Sequence, residues 1–112
     1  MQPLGTKLAL ITLLLTLSQI ALAQACTLVP PDTKLSESQS IVAIEEASLK
    51  EVALQGSRVP QVPFGFINDG WESFKKQVVQ GDTVHEFKDS LATGYLLLRK
   101  GCVVTSILTS IR

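Results

Sequence analysis

Residues 94–111 read GYLLLRKGCVVTSILTSI. Two runs of β-branched, aromatic and aliphatic residues, Gly94–Arg99 and Cys102–Ile111, flank the pair Lys100-Gly101. A two-residue link with Gly in its second place fits a tight β-hairpin, because glycine accepts a positive φ without steric cost. This predicts Arg99 opposite Cys102, Leu98 opposite Val103 and Leu96 opposite Thr105. Leu96 and Leu98 would then share one face with Val103 and Ile107. Tyr95 and Leu97 would share the other with Val104 and Leu108. Both faces carry apolar side chains, so helices are expected to cover one of them and leave the other partly open.

Upstream, Thr83–Lys88 predicts a first strand led in by the Gly81-Asp82 turn, with residues 89–93 as a connection. Before it, Trp71, Phe74 and Val78 repeat at helical spacing, which predicts a helix over 71–79. Asn68 or Asp69 would cap it, and Gly81 would stop it. Residues 37–55 lack Gly and Pro. Ile41, Ile44, Leu49 and Val52 fall on one side of a helical wheel, with Glu45 intruding on that face. A helix over 37–55 is expected, or a short strand at residues 40–44 followed by a shorter helix. Residues 24–36, with Pro30-Pro31, read as an extended leader. The resulting expectation is an α+β domain over 37–112, with two N-terminal helices packed on a C-terminal three-stranded antiparallel meander.

Between the two helices lies GSRVPQVPFGFINDG, residues 56–70. Its prolines and glycines forbid a long regular element, yet Val59, Val62, Phe64, Phe66 and Ile67 are strongly apolar. Long irregular connections in small domains are often functional. These five residues are therefore the candidate interaction surface, and the plainer alternative is an arm that caps the core with its phenylalanines.

The first 23 residues have the three-part pattern of a secretory signal. Lys7 supplies the basic start and Leu8–Leu17 the apolar run, while Ser18 and Gln19 break it before the small residues Ala21 and Ala23. An uncleaved anchor is the alternative, since the apolar stretch approaches the roughly 20 residues of a bilayer span. Cleavage after Ala23 would leave 89 residues starting at Gln24. An overlapping site would leave Cys26 at the terminus, where bacterial lipoproteins are acylated, although Ala23 stands where the lipoprotein box has leucine. The expected location is outside the cytoplasm, periplasmic or secreted, with lipid anchoring through Cys26 as a second possibility.

Loss of Lys7 leaves nine basic residues against ten acidic ones. No basic footprint points to nucleic acid, and no polybasic patch points to anionic lipid. The two cysteines, Cys26 and Cys102, are candidates for a disulfide, since export leads to a compartment where such bonds persist. A bridge closing that loop would contribute on the order of 4 kcal/mol in the chain-entropy account. The alternative leaves Cys102 as a small buried hydrophobe and Cys26 free or acylated.

The stretch from Pro63 to Thr109 resembles a group of small exported bacterial proteins of uncharacterised function. The resemblance rests on PFGFINDGWESFK, GDTVHEF, GYLLLRKG and VVTSILT, and it is carried by Trp71, Gly81-Asp82, Phe87 and Gly101. It implies a fold and no activity. Members of that group often carry an aromatic residue where His85 stands, which argues against catalysis by His85.

The chemistry-bearing residues are sparse. His85 is the sole histidine, with Asp82, Glu86 and Asp89 nearby in sequence. One imidazole with loosely spaced acids is a poor zinc set, because such sites need three or four convergent ligands. A Cys102–His85 dyad would need a free thiol. No serine sits in a nucleophile motif, and no glycine-rich phosphate loop is present. The expected reading is an exported, non-enzymatic binding module for a protein partner, without cofactor, metal or catalytic residues. Its alternatives are a lipid-anchored envelope component and a small periplasmic enzyme or ligand binder around His85.

Overall fold

The structure, a computed structural model, describes residues 26–111. The expected signal segment 1–23 and both cleavage sites lie outside the described residues. Within them the chain forms β1 (Lys34–Ser38), α1 (Ile41–Gln55), a single 3₁₀ turn (Gly65–Ile67), α2 (Asn68–Lys76), β2 (Thr83–Lys88), β3 (Ala92–Arg99) and β4 (Cys102–Ile111). The four strands make one antiparallel sheet in the order β1-β2-β3-β4.

The α+β class stands, but the expected three-stranded meander is a four-stranded sheet, and a strand precedes the helices. β1 takes its first three residues from the segment 24–36 expected as an extended leader. Its sequence, KLSES, has one large apolar side chain, so no alternation announced it. Its strand character comes from pairing with β2, Lys34 against Lys88, Leu35 against Phe87 and Ser38 against His85. The α1 helix accordingly starts at 41, not 37, and residues 41–44 are helical, not a strand. Ser40 ends the extended segment and caps the helix by accepting the Ala43 N–H at 3.1 Å.

The second helix begins three residues earlier and ends three residues sooner than its apolar spacing predicted. Neither Asn68 nor Asp69 caps it. Asn68 lies inside the first turn and donates its amide to Pro63 O at 2.9 Å. Asp69 in that first turn and Lys75 and Lys76 in the last complement the helix dipole.

The hairpin turn forms as expected, with both Lys100 (φ 52°) and Gly101 (φ 79°) left-handed, as a type I′ link requires. Arg99 pairs with Cys102 and Leu98 with Val103, but a bulge then shifts the register, so that Leu97 faces Thr105 and Tyr95 faces Ile107. A one-residue slip moves every later side chain to the opposite face. Ile107 therefore joins Tyr95 and Leu97 on the helix-covered face, not Leu96 and Leu98, and Leu108 lies opposite Gly94. A second bulge follows between Thr93 and Gly94. At Gly94 a Cβ would lie 2.0 Å from Ile107 O and 2.8 Å from the Phe87 ring. Only glycine lets the two strands approach there.

The core lies between that face and the helices. It comprises Ile44, Trp71, Phe74, Val84, Leu97 and Ile107, with Ile41, Phe64, Val78, Tyr95 and Val104 packed around it. Trp71 and Leu97 are fully enclosed. The Trp71 ring stacks on Phe74 with centroids 5.3 Å apart. Glu45, which interrupted the apolar face of the wheel, has a use there. Its Oε2 accepts the Trp71 indole N–H at 2.7 Å and the Lys75 ammonium at 2.8 Å. Phe87, Ala92 and Leu96 are also buried but belong to the other face by strand alternation.

Cys26 and Cys102 form a disulfide, their Cα atoms 5.2 Å apart. Beside it, Val103 donates its N–H to Thr27 O at the outer edge of β4. Seven residues later Lys34 is in β1, on the opposite edge and at the opposite end of the strands. A flat sheet would put those points ~25 Å apart, from strand spacing and rise. A segment containing the Pro30–Thr33 turn reaches at most ~20 Å. The sheet is therefore twisted and curled, as its two bulges on β4 promote.

Candidate functional site

The segment after α1 is built, not loose. The Gln61 amide donates to three carbonyls, Val52 O at 3.3 Å, Gly56 O at 3.0 Å and Val59 O at 2.9 Å. Ser48 Oγ, buried in the middle of α1, accepts the Phe64 N–H at 2.7 Å. That bond holds Phe64 in a left-handed conformation (φ 63°, ψ 12°), an uncommon state for a bulky residue and one that persists only where its surroundings enforce it. Gly65 and Ile67 close successive turns onto Val62 O and Phe64 O.

This geometry divides the five expected surface residues. Phe64 turns inward and packs on Trp71 at 4.8 Å and Tyr95 at 5.8 Å between ring centroids. Val59 is half-buried. Phe66 stands out at 75 % exposure, with Val62 and Ile67 partly exposed beside it. Capping of the core and exposure of apolar surface thus fall to different residues of one segment.

A groove of about 440 Å³ opens between α1, this segment and the helix-side face of the sheet. Val52, Val59, Phe64 and Phe66 supply apolar wall; Glu51 hangs over it from α1, and Glu86 and Tyr95 rise from neighbouring strands. Burial of Tyr95, with the Glu86 and Glu51 carboxylates near its phenol, pushes its pKa up to about 12. Sequence reasoning found the segment but missed Glu51, Glu86 and Tyr95 as parts of one site. Glu86 and Tyr95 meet only through the β2–β3 register, and no local pattern encodes that.

The acids near His85 in sequence go elsewhere. Asp82 is clamped by Arg99, whose Nε and Nη2 donate to its two oxygens at 2.9 Å each, while Val79 N–H donates to Oδ2. The bonds from Arg99 and Val79 hold its carboxyl below the usual carboxylate range. Asp89 Oδ1 accepts the N–H groups of Leu91 and Ala92 and shapes the β2–β3 link. Glu86 points to the groove side. His85 itself donates Nδ1–H to Ser36 O at 2.9 Å, which leaves Nε2 to accept from the Thr83 hydroxyl. The ring thereby fastens the irregular end of β1 to β2. Among the described residues no three His, Cys, Asp or Glu side chains converge to hold a metal ion.

The disulfide consumes the Cys102 thiol, so the Cys102–His85 dyad does not form here. The same bond occupies the Cys26 sulfur that acylation would need. Among the described residues no helix is long and apolar enough to cross a membrane.

Compared with family models, with characterised proteins and with solved structures, the chain matches none.

Proposed function

We propose that this protein is an exported, non-enzymatic binding module whose contact surface is the 59–67 segment and the groove beneath it. The observation that carries this reading is the Ser48–Phe64 bond at 2.7 Å. It fixes a backbone conformation that costs free energy and so presents Phe66, Val62 and Ile67 on a rigid rim. Ordering a contact loop before binding reduces the entropy lost on association. Exposed aromatic side chains set beside a groove are the usual anchors of protein interfaces. The paired cysteines agree with a working place outside the cytoplasm, where such bonds persist.

The test uses the full chain in its native host. A photo-crosslinking amino acid replaces Phe66 in one strain and Leu91 in another. Leu91 is a similarly exposed residue (70 %) remote in sequence from the segment. The reading predicts a discrete adduct from position 66 and none from position 91. The same pattern at both positions, or none at 66, would remove it.

A further inference from the structure

We infer that the groove receives a lysine or arginine side chain of a partner polypeptide, with the flanking apolar residues of that partner resting on Phe66 and Ile67. The inference rests on the reading of the 59–67 segment as a contact surface and specifies the chemistry of what it contacts.

The lining itself argues for a cation on an aliphatic stem. Of the residues that line the groove, the ionisable carboxyls are Glu51 and Glu86, and none of the lining residues is Lys, Arg or His. The carboxylates engaged in ion pairs among the described residues are Glu45, Glu72 and Asp82; Glu51 and Glu86 are in no such pair. The same groove is lined by Phe66 and Tyr95, aromatic rings of the kind that attract a cation, and by Val52 and Val59, which suit methylene groups. A bare inorganic cation would gain nothing from the aliphatic wall. An anion would meet two carboxylates without a compensating charge. The raised pKa of Tyr95 agrees: burial is its main cause, and the Glu86 and Glu51 carboxylates add to it.

A polypeptide is favoured over a free amine by the rim. Phe66 is 75 % exposed and Ile67 40 % where they line the groove, and Val62 adds apolar surface beyond the lining. A small ammonium ion seated below would leave all three in water, whereas a peptide would cover them while its basic side chain descends.

The experiment is an NMR titration of the isotope-labelled, disulfide-intact protein. The probes are an acetylated, amidated peptide with one lysine between leucines, its norleucine and glutamate counterparts, and n-butylammonium. The inference predicts saturable shifts of the Glu51, Phe64, Phe66 and Glu86 amides with the lysine peptide. It predicts about tenfold weaker binding of the norleucine peptide, and a similar loss in the double variant Glu51→Gln, Glu86→Gln. Tm and the Trp71 emission report whether that variant remains folded. Both carboxylates are exposed, so their neutralisation leaves the core intact; Glu51→Gln alone serves if the pair does not fold. Equal binding of the lysine, norleucine and glutamate peptides, or no shifts with any of them, would overturn the inference. Binding of n-butylammonium as tight as that of the peptide would overturn the choice of a polypeptide. Site-specific cross-linking at Phe66 together with no lysine preference would remove this inference alone, whereas loss of cross-linking removes the reading on which it rests.

Discussion

Ser48 and Phe64, sixteen positions apart, are joined by a 2.7 Å bond from the Phe64 N–H to the Ser48 hydroxyl. A serine in the middle of an apolar helix face is a poor core residue, and here it organises the segment that follows the helix. Replacing it with alanine leaves a part-buried N–H without its partner, at about 1–3 kcal/mol. Chemical denaturation of Ser48→Ala is expected to show that loss. An unchanged midpoint would mean that Phe64 is held by its ring contacts alone.

The Cys26–Cys102 bond fastens the N-terminal segment to the outer edge of β4. A double Cys→Ser variant is expected to lose about 2–5 kcal/mol, as small domains do when a native bridge is removed. Comparison with the reduced wild-type protein separates the effect of the bond from that of the substituted atoms.

Tyr95 is the sole tyrosine, so phenolate absorbance in the near ultraviolet reports it alone. Burial and the neighbouring carboxylates favour the neutral phenol, and its pKa moves from the ordinary 10.0 to about 12. This contribution to stability is therefore complete below pH 10 and disappears as pH rises from there to about 12. Glu86→Gln is expected to shift the absorbance midpoint downward. A midpoint at 10 in the folded wild type would show that the groove does not concentrate negative potential.

Burial pushes the Glu45 carboxyl up, but the bonds from Lys75 and Trp71 and the Lys75 charge outweigh it and hold its pKa below the ordinary 4.5. A depressed carboxyl stabilises the fold above its unfolded pKa, and that stability is lost as pH falls through the folded one. Unfolding free energy should therefore drop below about pH 4.5, and less steeply in Glu45→Gln. The variant is also expected to be weaker by about 1 kcal/mol at neutral pH, where one oxygen serves a buried indole N–H and a partly exposed ammonium. Parallel acid limbs in the two proteins would assign the acid response to other carboxylates.

Elements whose signal is local were legible in the sequence. The Lys100-Gly101 turn, the extents of β2 and β4, and the Trp71–Phe74 face follow from residue type and spacing within a few positions. β1 was hidden because KLSES has almost no apolar period and becomes a strand only against β2. The bulge after Val103 was hidden for a related reason. Apolar residues at 103, 104, 107 and 108 fit either face, so their pattern does not say where an extra residue enters. The 59–67 segment stood out by density of apolar side chains. The groove beside it did not, because Glu51, Glu86 and Tyr95 are brought together by long-range pairing.

On the function proposed above, the exposed aromatic rim is rigid before any partner arrives. Amide hydrogen exchange of the free protein at Phe64, Gly65 and Ile67 decides whether it is. The three N–H groups bond to Ser48 Oγ, Val62 O and Phe64 O respectively. A rigid rim gives slow exchange at all three, comparable to the interior of α1, and selective loss of protection at Phe64 in Ser48→Ala. Exchange of these amides at the rate of an unstructured chain would contradict it, and the segment would then be a loose cover over the core.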